Sequence, residues 1–173
     1  MYSRTALKDN VYLEMVQTIS KLSKDKQTQN GAIIVAKDGT PVSWGYNGTV
    51  SGFRDEIIPH SREKKRLNFE ENCELKTFEE NKYPFMCHAE ENALDFGDNE
   101  KLKGATIYVT GMPCGHCARQ IAKKKIARVV IPAGLTYDKN STMEKDEMLT
   151  KFIFAEAGIQ LFIGEEVVCL TKW

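Results

Sequence analysis

Two short clusters in this 173-residue chain carry side chains able to do hydrolytic chemistry: Cys87-His88-Ala89-Glu90 and Pro113-Cys114-Gly115-His116-Cys117. Each stands where a helix is expected to open. Two cysteines separated by two residues at a helix start can face one ion, and the exposed amides and helix dipole there favour a thiolate. With Cys114 and Cys117 as two ligands, the His88 imidazole would be the third. Zinc held by three protein ligands keeps its fourth position for water and raises that water's acidity enough for hydrolysis near neutral pH. Glu90 follows His88 by two positions, about 200° round a helix axis, so it is badly placed to share the metal. In the looser first turn its carboxylate can instead lean over the open position, take a proton from the water and return it to a substrate. The competing arrangement is a closed structural site with Cys87 or His116 as fourth ligand, in which a helix-borne acid has no role. His116, between the two cysteines, is expected to point away from the ion and act as a spectator.

The elements that must position these residues are legible from hydrophobic periodicity. Tyr12, Met15, Val16, Ile19 and Leu22 recur at helical spacing after a cap at Asp9 or Asn10. Residues 31–36 and 41–46, joined by Asp38-Gly39, form a predicted hairpin. Then come a helix over 88–96, a strand over 106–110, a helix over 114–124 and a strand over 127–131. A fourth helix with Leu149, Phe152, Ile153 and Ala157 inward stops at Gly158 before a fifth strand over 159–163, and Val167 to Leu170 is a weak candidate for a further edge strand. The expected architecture is α/β, a three-layer α/β/α arrangement around a five-stranded mixed sheet in one domain spanning 1–173. Residues from about 49 to 83 are charged, with a basic run Arg62-Glu63-Lys64-Lys65-Arg66 and acids Glu70, Glu71, Glu79 and Glu80. They read as an irregular insertion with a solvated face.

Bulk composition narrows the function classes. Lys and Arg number 24, as do Asp and Glu, so the chain lacks the basic surplus that long phosphate backbones demand. Small substrates are favoured over nucleic acid. No uninterrupted apolar run marks a leader or membrane span, so a cytoplasmic location is expected, the host's if the chain is viral. Five cysteines, an odd number clustered with histidines, fit metal ligation and reduced thiols better than a disulfide framework.

H-x-E followed by P-C-x-x-C is the signature of zinc-dependent nucleobase deaminases. Beyond it, the chain resembles the deoxycytidylate deaminase family, viral members included, over most of its length. The strings that carry the resemblance are Ser23-Lys24-Asp25 with Thr28-Gln29 and Gly31-Ala32, Gly45-Tyr46-Asn47-Gly48, Lys82-Tyr83-Pro84-Phe85 running into Cys87-His88-Ala89-Glu90 and Asn92-Ala93, Gly104-Ala105-Thr106, Tyr108-Val109-Thr110, and Tyr137-Asp138-Lys139-Asn140. The resemblance implies a cytidine-deaminase-like fold and deamination of dCMP to dUMP, with dCTP or modified dCMP as further substrates. It also implies zinc on His88, Cys114 and Cys117, Glu90 as proton shuttle, the Ala89 amide on the ring carbonyl, and Asn47 on the sugar hydroxyl. Asn47 suits that contact chemically, since an amide both donates and accepts; the plainer reading of Tyr46-Asn47-Gly48 is a turn.

Tyr137 and Lys139, after the fourth strand, are placed like a phosphate loop, with Arg119 or the basic run as alternatives. The resemblance further implies a dCTP or dTTP effector near Gly45, Tyr46 and Gly48, with Mg2+ accompanying the triphosphate, and a hexamer. By the same resemblance His60, Cys73 and Cys87 are candidates for a second, structural zinc. Asn30, where the family has an apolar residue, and Gly111-Met112, where it has a bulkier leader, depart from the pattern. Two other functions fit parts of the sequence: a tRNA or single-stranded DNA base deaminase, to which only Lys123, Lys124, Lys125 and Arg128 lend support, and a non-catalytic nucleotide sensor.

Overall fold

The computed structural model describes residues 4–25, 27–134 and 142–171. In chain order it has α1 (Arg4–Ser20), β1 (Gly31–Val35), β2 (Pro41–Tyr46), β3 (Gly48–Thr49), β4 (Lys65–Glu71), β5 (Glu74–Glu80), β6 (Met86–Cys87), α2 (Ala89–Phe96) and α3 (Asn99–Leu102). There follow β7 (Thr106–Val109), α4 (Gly115–Lys123), β8 (Arg128–Ile131), α5 (Thr142–Ala157), β9 (Gln160–Ile163) and β10 (Glu166–Val168).

The main sheet runs β10-β9-β8-β7-β1-β2. β7, β8 and β9 are parallel neighbours, whereas β1 pairs antiparallel with both β2 and β7, and β10 antiparallel with β9. The sheet is therefore mixed, as expected, but six-stranded rather than five-stranded, because β10 covers the edge that β9 would otherwise leave unpaired. Alternation along the strands divides the core. Ile33, Val35, Tyr108 and Val130 meet Val16 of α1 on one face, and Ala32, Ile34, Ile107, Val109, Val129, Ile131 and Leu161 meet α2, α4 and α5 on the other. Three α/β/α layers result. No helix among the described residues is long and apolar enough to cross a membrane.

Three expectations need correction. Helix α1 begins before Asp9, whose carboxylate is not a cap: it is buried and accepts from the Tyr108 hydroxyl at 2.7 Å and from Arg128 at 2.9 and 2.5 Å. Along α5 the inward side chains are Thr150, Phe154 and, as expected, Ile153, while Leu149, Phe152 and Ala157 are largely exposed. The Thr150 hydroxyl donates to the Pro113 carbonyl at 2.7 Å, which fixes that face. The 49–83 segment contains a regular hairpin of β4 and β5, turning at Asn72 and Cys73 with φ of 52° and 62°, the left-handed pair that a two-residue hairpin turn requires. Its charges obscure the alternation in the sequence, yet register sets Lys65 opposite Glu80 and Arg66 opposite Glu79, opposite signs that support pairing.

Candidate active site

The two clusters meet because their helices pack side by side on one face of the sheet, α2 against β2 and β1 and α4 against α2. His88 is the residue that precedes the first turn of α2, with extended backbone (φ −77°, ψ 156°), and Cys114 does the same for α4 (φ −72°, ψ 167°). Each ligand candidate thus leaves its chain where the backbone has not yet closed into a helix and unpaired amides face outward. The Glu91 carboxylate spans the two helices. It accepts from the His88 amide at 2.6 Å and meets His116 Nε2 at 2.8 Å. His116 is accordingly turned from the ligand cluster, as its spacing predicts.

His88, Cys114 and Cys117 bring their ligand atoms within 4.8 Å of one another. His88 Nδ1 lies 3.6 Å from Cys114 Sγ and 3.4 Å from Cys117 Sγ. Zinc–nitrogen and zinc–sulfur bonds at a tetrahedral angle would separate such atoms by about 3.6 Å, so the cradle fits that ion. It is the one group of three or more potential ligands among the described residues. Neither Cys87 nor His116 joins it as a fourth ligand. His60, Cys73 and Cys87 do not come together as a second group either: Cys73 is exposed at the hairpin turn and His60 contacts the Asp55 carbonyl at 3.0 Å.

Proton affinities within the cluster follow from its closeness. The hydrogen bond from Cys117 holds the Cys114 thiol down to about 3 against the opposing effect of burial, with His88 assisting. The partnership with Cys114 lifts His88 to about 9, although burial opposes it. Cys117, bonded to the Cys114 sulfur and buried, is pushed far above the ordinary thiol range. Ligation requires the thiolates and the neutral imidazole, so a divalent ion bound here would release protons.

Glu90 is 7% exposed. Burial raises its carboxyl above the usual carboxylate range, against the pull of its own backbone amide and of His88. It is absent from the ligand group, yet on the first turn beside it, where an acid can hold or release a proton without binding the metal. Ala89 is fully buried at the first position of α2.

Asn47 is buried at the end of β2. Gly48 pairs with Cys87, so the next step of that ladder brings Asn47 toward His88. Its amide is fixed on both sides: Nδ2 donates to the Thr28 carbonyl at 2.9 Å and Oδ1 accepts from the Asn30 amide at 2.7 Å. Neither contact is visible in the spacing of the sequence. Gly45 lies beneath α2, where a Cβ would stand 2.5 Å from the Ala89 carbonyl and 2.6 Å from the Ala93 amide. Asn92 ties the same helix to the Tyr46 carbonyl at 2.8 Å. Tyr137 and Lys139 lie outside the described residues. Of the basic side chains that favoured nucleic acid, Arg128 is committed to Asp9, and Lys124 donates to Asn99 at 2.7 Å. Arg119 is exposed on α4 with one guanidinium nitrogen 3.4 Å from His116.

Comparison with known proteins fits this geometry. A deoxycytidylate deaminase of Mus musculus is 32% identical over 137 residues, covering 79% of this chain and 68% of its own. A deoxycytidylate deaminase of Enterobacteria phage T4 is 27% identical over 183 residues, covering 90% and 89%. The crystal structure of a dCMP deaminase from cyanophage S-TIM5, in complex with dCMP and dUMP, shares the fold with a TM-score of 0.61 at 23% identity, over 92% of this chain and 98% of that one. The family description "Cytidine and deoxycytidylate deaminase zinc-binding region" matches residues 7–133, and with the mouse relative at that identity and coverage, this chain belongs to the cytidine and deoxycytidylate deaminase family.

Proposed function

We propose that the chain hydrolytically deaminates dCMP, giving dUMP and ammonia and so feeding thymidylate synthesis. The observation that carries this is a three-ligand His88, Cys114, Cys117 cradle with the buried, unligated Glu90 on the adjoining helical turn. Relatives named deoxycytidylate deaminase in mouse and in phage T4 support the choice of substrate.

Zinc in that cradle would supply Lewis acidity that makes water a usable nucleophile near neutral pH. Glu90 accepts a proton from the attacking water as its oxygen bonds to carbon 4 of the cytosine ring, and delivers that proton to the ring nitrogen beside carbon 4. Glu90 then carries the second proton to the amino group, the carbon–nitrogen bond breaks, and ammonia departs. A carboxyl whose protonated form is favoured by burial suits both halves of this transfer. The Ala89 amide, among the first-turn amides without an intrahelical partner, holds the ring carbonyl. Asn47 takes the sugar hydroxyl with the donor and acceptor that its internal bonds leave free. Tyr137 and Lys139 serve the phosphate.

A hollow of about 940 Å3 bordered by Trp44, Gly45, Tyr46, Gly48, Phe53 and Phe96 supports an effector role for Gly45 to Gly48, with dCTP or dTTP and Mg2+ as the ligands to try. The reading includes a hexamer, and relatives in phages T2 and T4 favour action in the cytoplasm of an infected host. The test is loss of cytosine absorbance when dCMP meets the zinc-loaded protein, run beside cytidine, dCTP and single-stranded oligonucleotides. Turnover of dCMP above the others is expected. No turnover of dCMP by fully zinc-loaded protein overturns the proposal, and turnover confined to oligonucleotides replaces it with the nucleic-acid reading.

A further inference from the structure

Lys82 and Asp25 form an ion pair of 2.6 Å with side chains only 3% and 4% exposed. A lysine is almost never so buried unless paired, and a buried pair is weak evidence for stability, because a well-packed apolar pair often does as well or better. What the pair touches points to another role. The second Asp25 oxygen accepts from the amides of Gln27 at 2.9 Å and Thr28 at 3.2 Å. Thr28 in turn receives the Asn47 amide nitrogen, and Asn30 donates to the Asn47 oxygen while accepting from the Asn47 backbone at 3.1 Å. Asn30 Oδ1 then accepts from the Thr110 hydroxyl at 3.1 Å. The network begins shortly before His88 and ends shortly before Cys114, with Asn47 at its centre.

We propose that Lys82 and Asp25 are positioning residues whose buried pair fixes the rotamer and the amide orientation of Asn47, and thereby substrate affinity. The inference rests on the deaminase reading above, with Asn47 on the sugar. A flipped Asn47 would set its NH2 against the Asn30 N–H and its oxygen against the Thr28 carbonyl, so the loop enforces one orientation. One N–H and one lone pair remain, held in fixed directions and matched to a hydroxyl that accepts and donates. The loop that enforces this is itself held at Asp25, and Asp25 is held by Lys82. Preorganisation of this kind lowers the entropy lost on binding. The same free energy is gained with substrate and transition state, so its loss raises KM and leaves kcat alone.

The experiment measures dCMP kinetics and zinc content for Lys82→Met, Asp25→Asn, the Lys82→Met/Asp25→Asn double variant and Lys82→Arg, each with and without Asn47→Ala. Lys82→Met is expected to raise KM on the order of tenfold, the loss for one side chain no longer held in place, with kcat per bound zinc within about twofold. Lys82→Arg recovers most of the affinity. On the Asn47→Ala background the Lys82 substitution adds nothing further, since the side chain it orients is gone. The double variant carries no unpaired buried charge and keeps an acceptor for Gln27 and Thr28, so it tests the idea if Lys82→Met does not fold. Amide exchange at Thr28 and Asn30, read without substrate, is expected to quicken in the Lys82 variants while the sheet stays protected. That arm distinguishes failure of the inference from an inactive wild type. Wild-type KM in the double variant, effects that add to those of Asn47→Ala, or unchanged exchange at Asn30 overturns it.

Discussion

Glu90→Gln separates proton transfer from metal binding and from folding, because the proposed mechanism gives Glu90 a part in only the first. Its carboxyl is 7% exposed and is no member of the ligand group, so the isosteric amide should leave zinc at one per chain and the melting temperature near the wild-type value. Glu91, the neighbouring acid, is tied to the His88 amide at 2.6 Å and to His116 at 2.8 Å and cannot stand in. General acid–base catalysis by a positioned group is worth about 10²- to 10⁴-fold. With no substitute acid and two proton transfers to serve, the loss belongs at the upper end, about 10³- to 10⁴-fold in kcat, or about 4 to 5.5 kcal/mol of barrier. Zinc by elemental analysis, turnover by cytosine absorbance and thermal melting on one preparation give all three quantities. A kcat within tenfold of wild type would refute the proton-carrier role; loss of zinc along with activity would mean that Glu90 helps to hold the metal.

Cys117→Ser should reduce bound zinc below about a tenth per chain and abolish turnover while the far-ultraviolet spectrum stays folded, because Cys117 would supply one of the three proposed ligands to a site built on intact helices; retained stoichiometric zinc contradicts the ligand assignment. Gly45→Ala places a Cβ 2.5 Å from the Ala89 carbonyl and 2.6 Å from the Ala93 amide. Urea unfolding should show a cost of about 1 to 3 kcal/mol from overpacking, and turnover should fall as α2 shifts. Asp25→Asn should lower stability at pH 7 by about 3 kcal/mol, since it leaves Lys82 charged and unpaired. Burial pushes the Asp25 carboxyl up, but the Lys82 bond and the amides of Gln27 and Thr28 outweigh it and hold it below the ordinary 3.8. A carboxyl depressed on folding stabilises above its unfolded value and loses that contribution as pH falls through its folded one. The stability gap between wild type and Asp25→Asn should therefore be flat above about pH 5, shrink below 3.8 and close at still lower pH; a gap that widens on acidification contradicts the assignment.

The gathering of His88, Cys114 and Cys117 is legible in the sequence because its parts are local. His88 and Glu90 share one helical turn, Cys114 and Cys117 another, and spacing within a turn dictates which way side chains can face. The β-α alternation was legible for the same reason, with helix starts at His88 and Cys114 recovered to within a residue. What escaped was decided by partners distant in sequence. Asp9 has the look of a cap and is instead spent on Tyr108 and Arg128 across the sheet. Alternation in the hairpin is masked because Arg66 and Glu79 are both charged, and only pairing reveals that they stand opposite one another. The inward face of α5 turns on Thr150 reaching the Pro113 carbonyl, a contact that no helical periodicity encodes. Asn47 reads as a turn residue with a free amide, whereas Thr28 and Asn30 already hold half of its bonding capacity.

These long-range ties bear on how the metal is acquired. Glu91 bolts α4 to α2 through His116, Asn92 bolts α2 to β2 through Tyr46, and Asn47 bolts the end of β2 to the loop before β1. None of the three bonds passes through a ligand atom. His88 Nδ1 lies 3.4 Å from Cys117 Sγ and 3.6 Å from Cys114 Sγ, close to the separation that zinc demands. Ties that bypass the ligand atoms leave a metal little conformational freedom to remove on binding, so its affinity would go into the site rather than into ordering the chain. Zinc removal should then cost stability only through mass action, by RT ln(1 + [L]/Kd), in contrast to small zinc domains whose fold exists only with the metal. The bolts and the ligands are separable on this account: weakening Glu91–His116 would loosen zinc without unfolding the protein, and stripping zinc would leave the bolts in place.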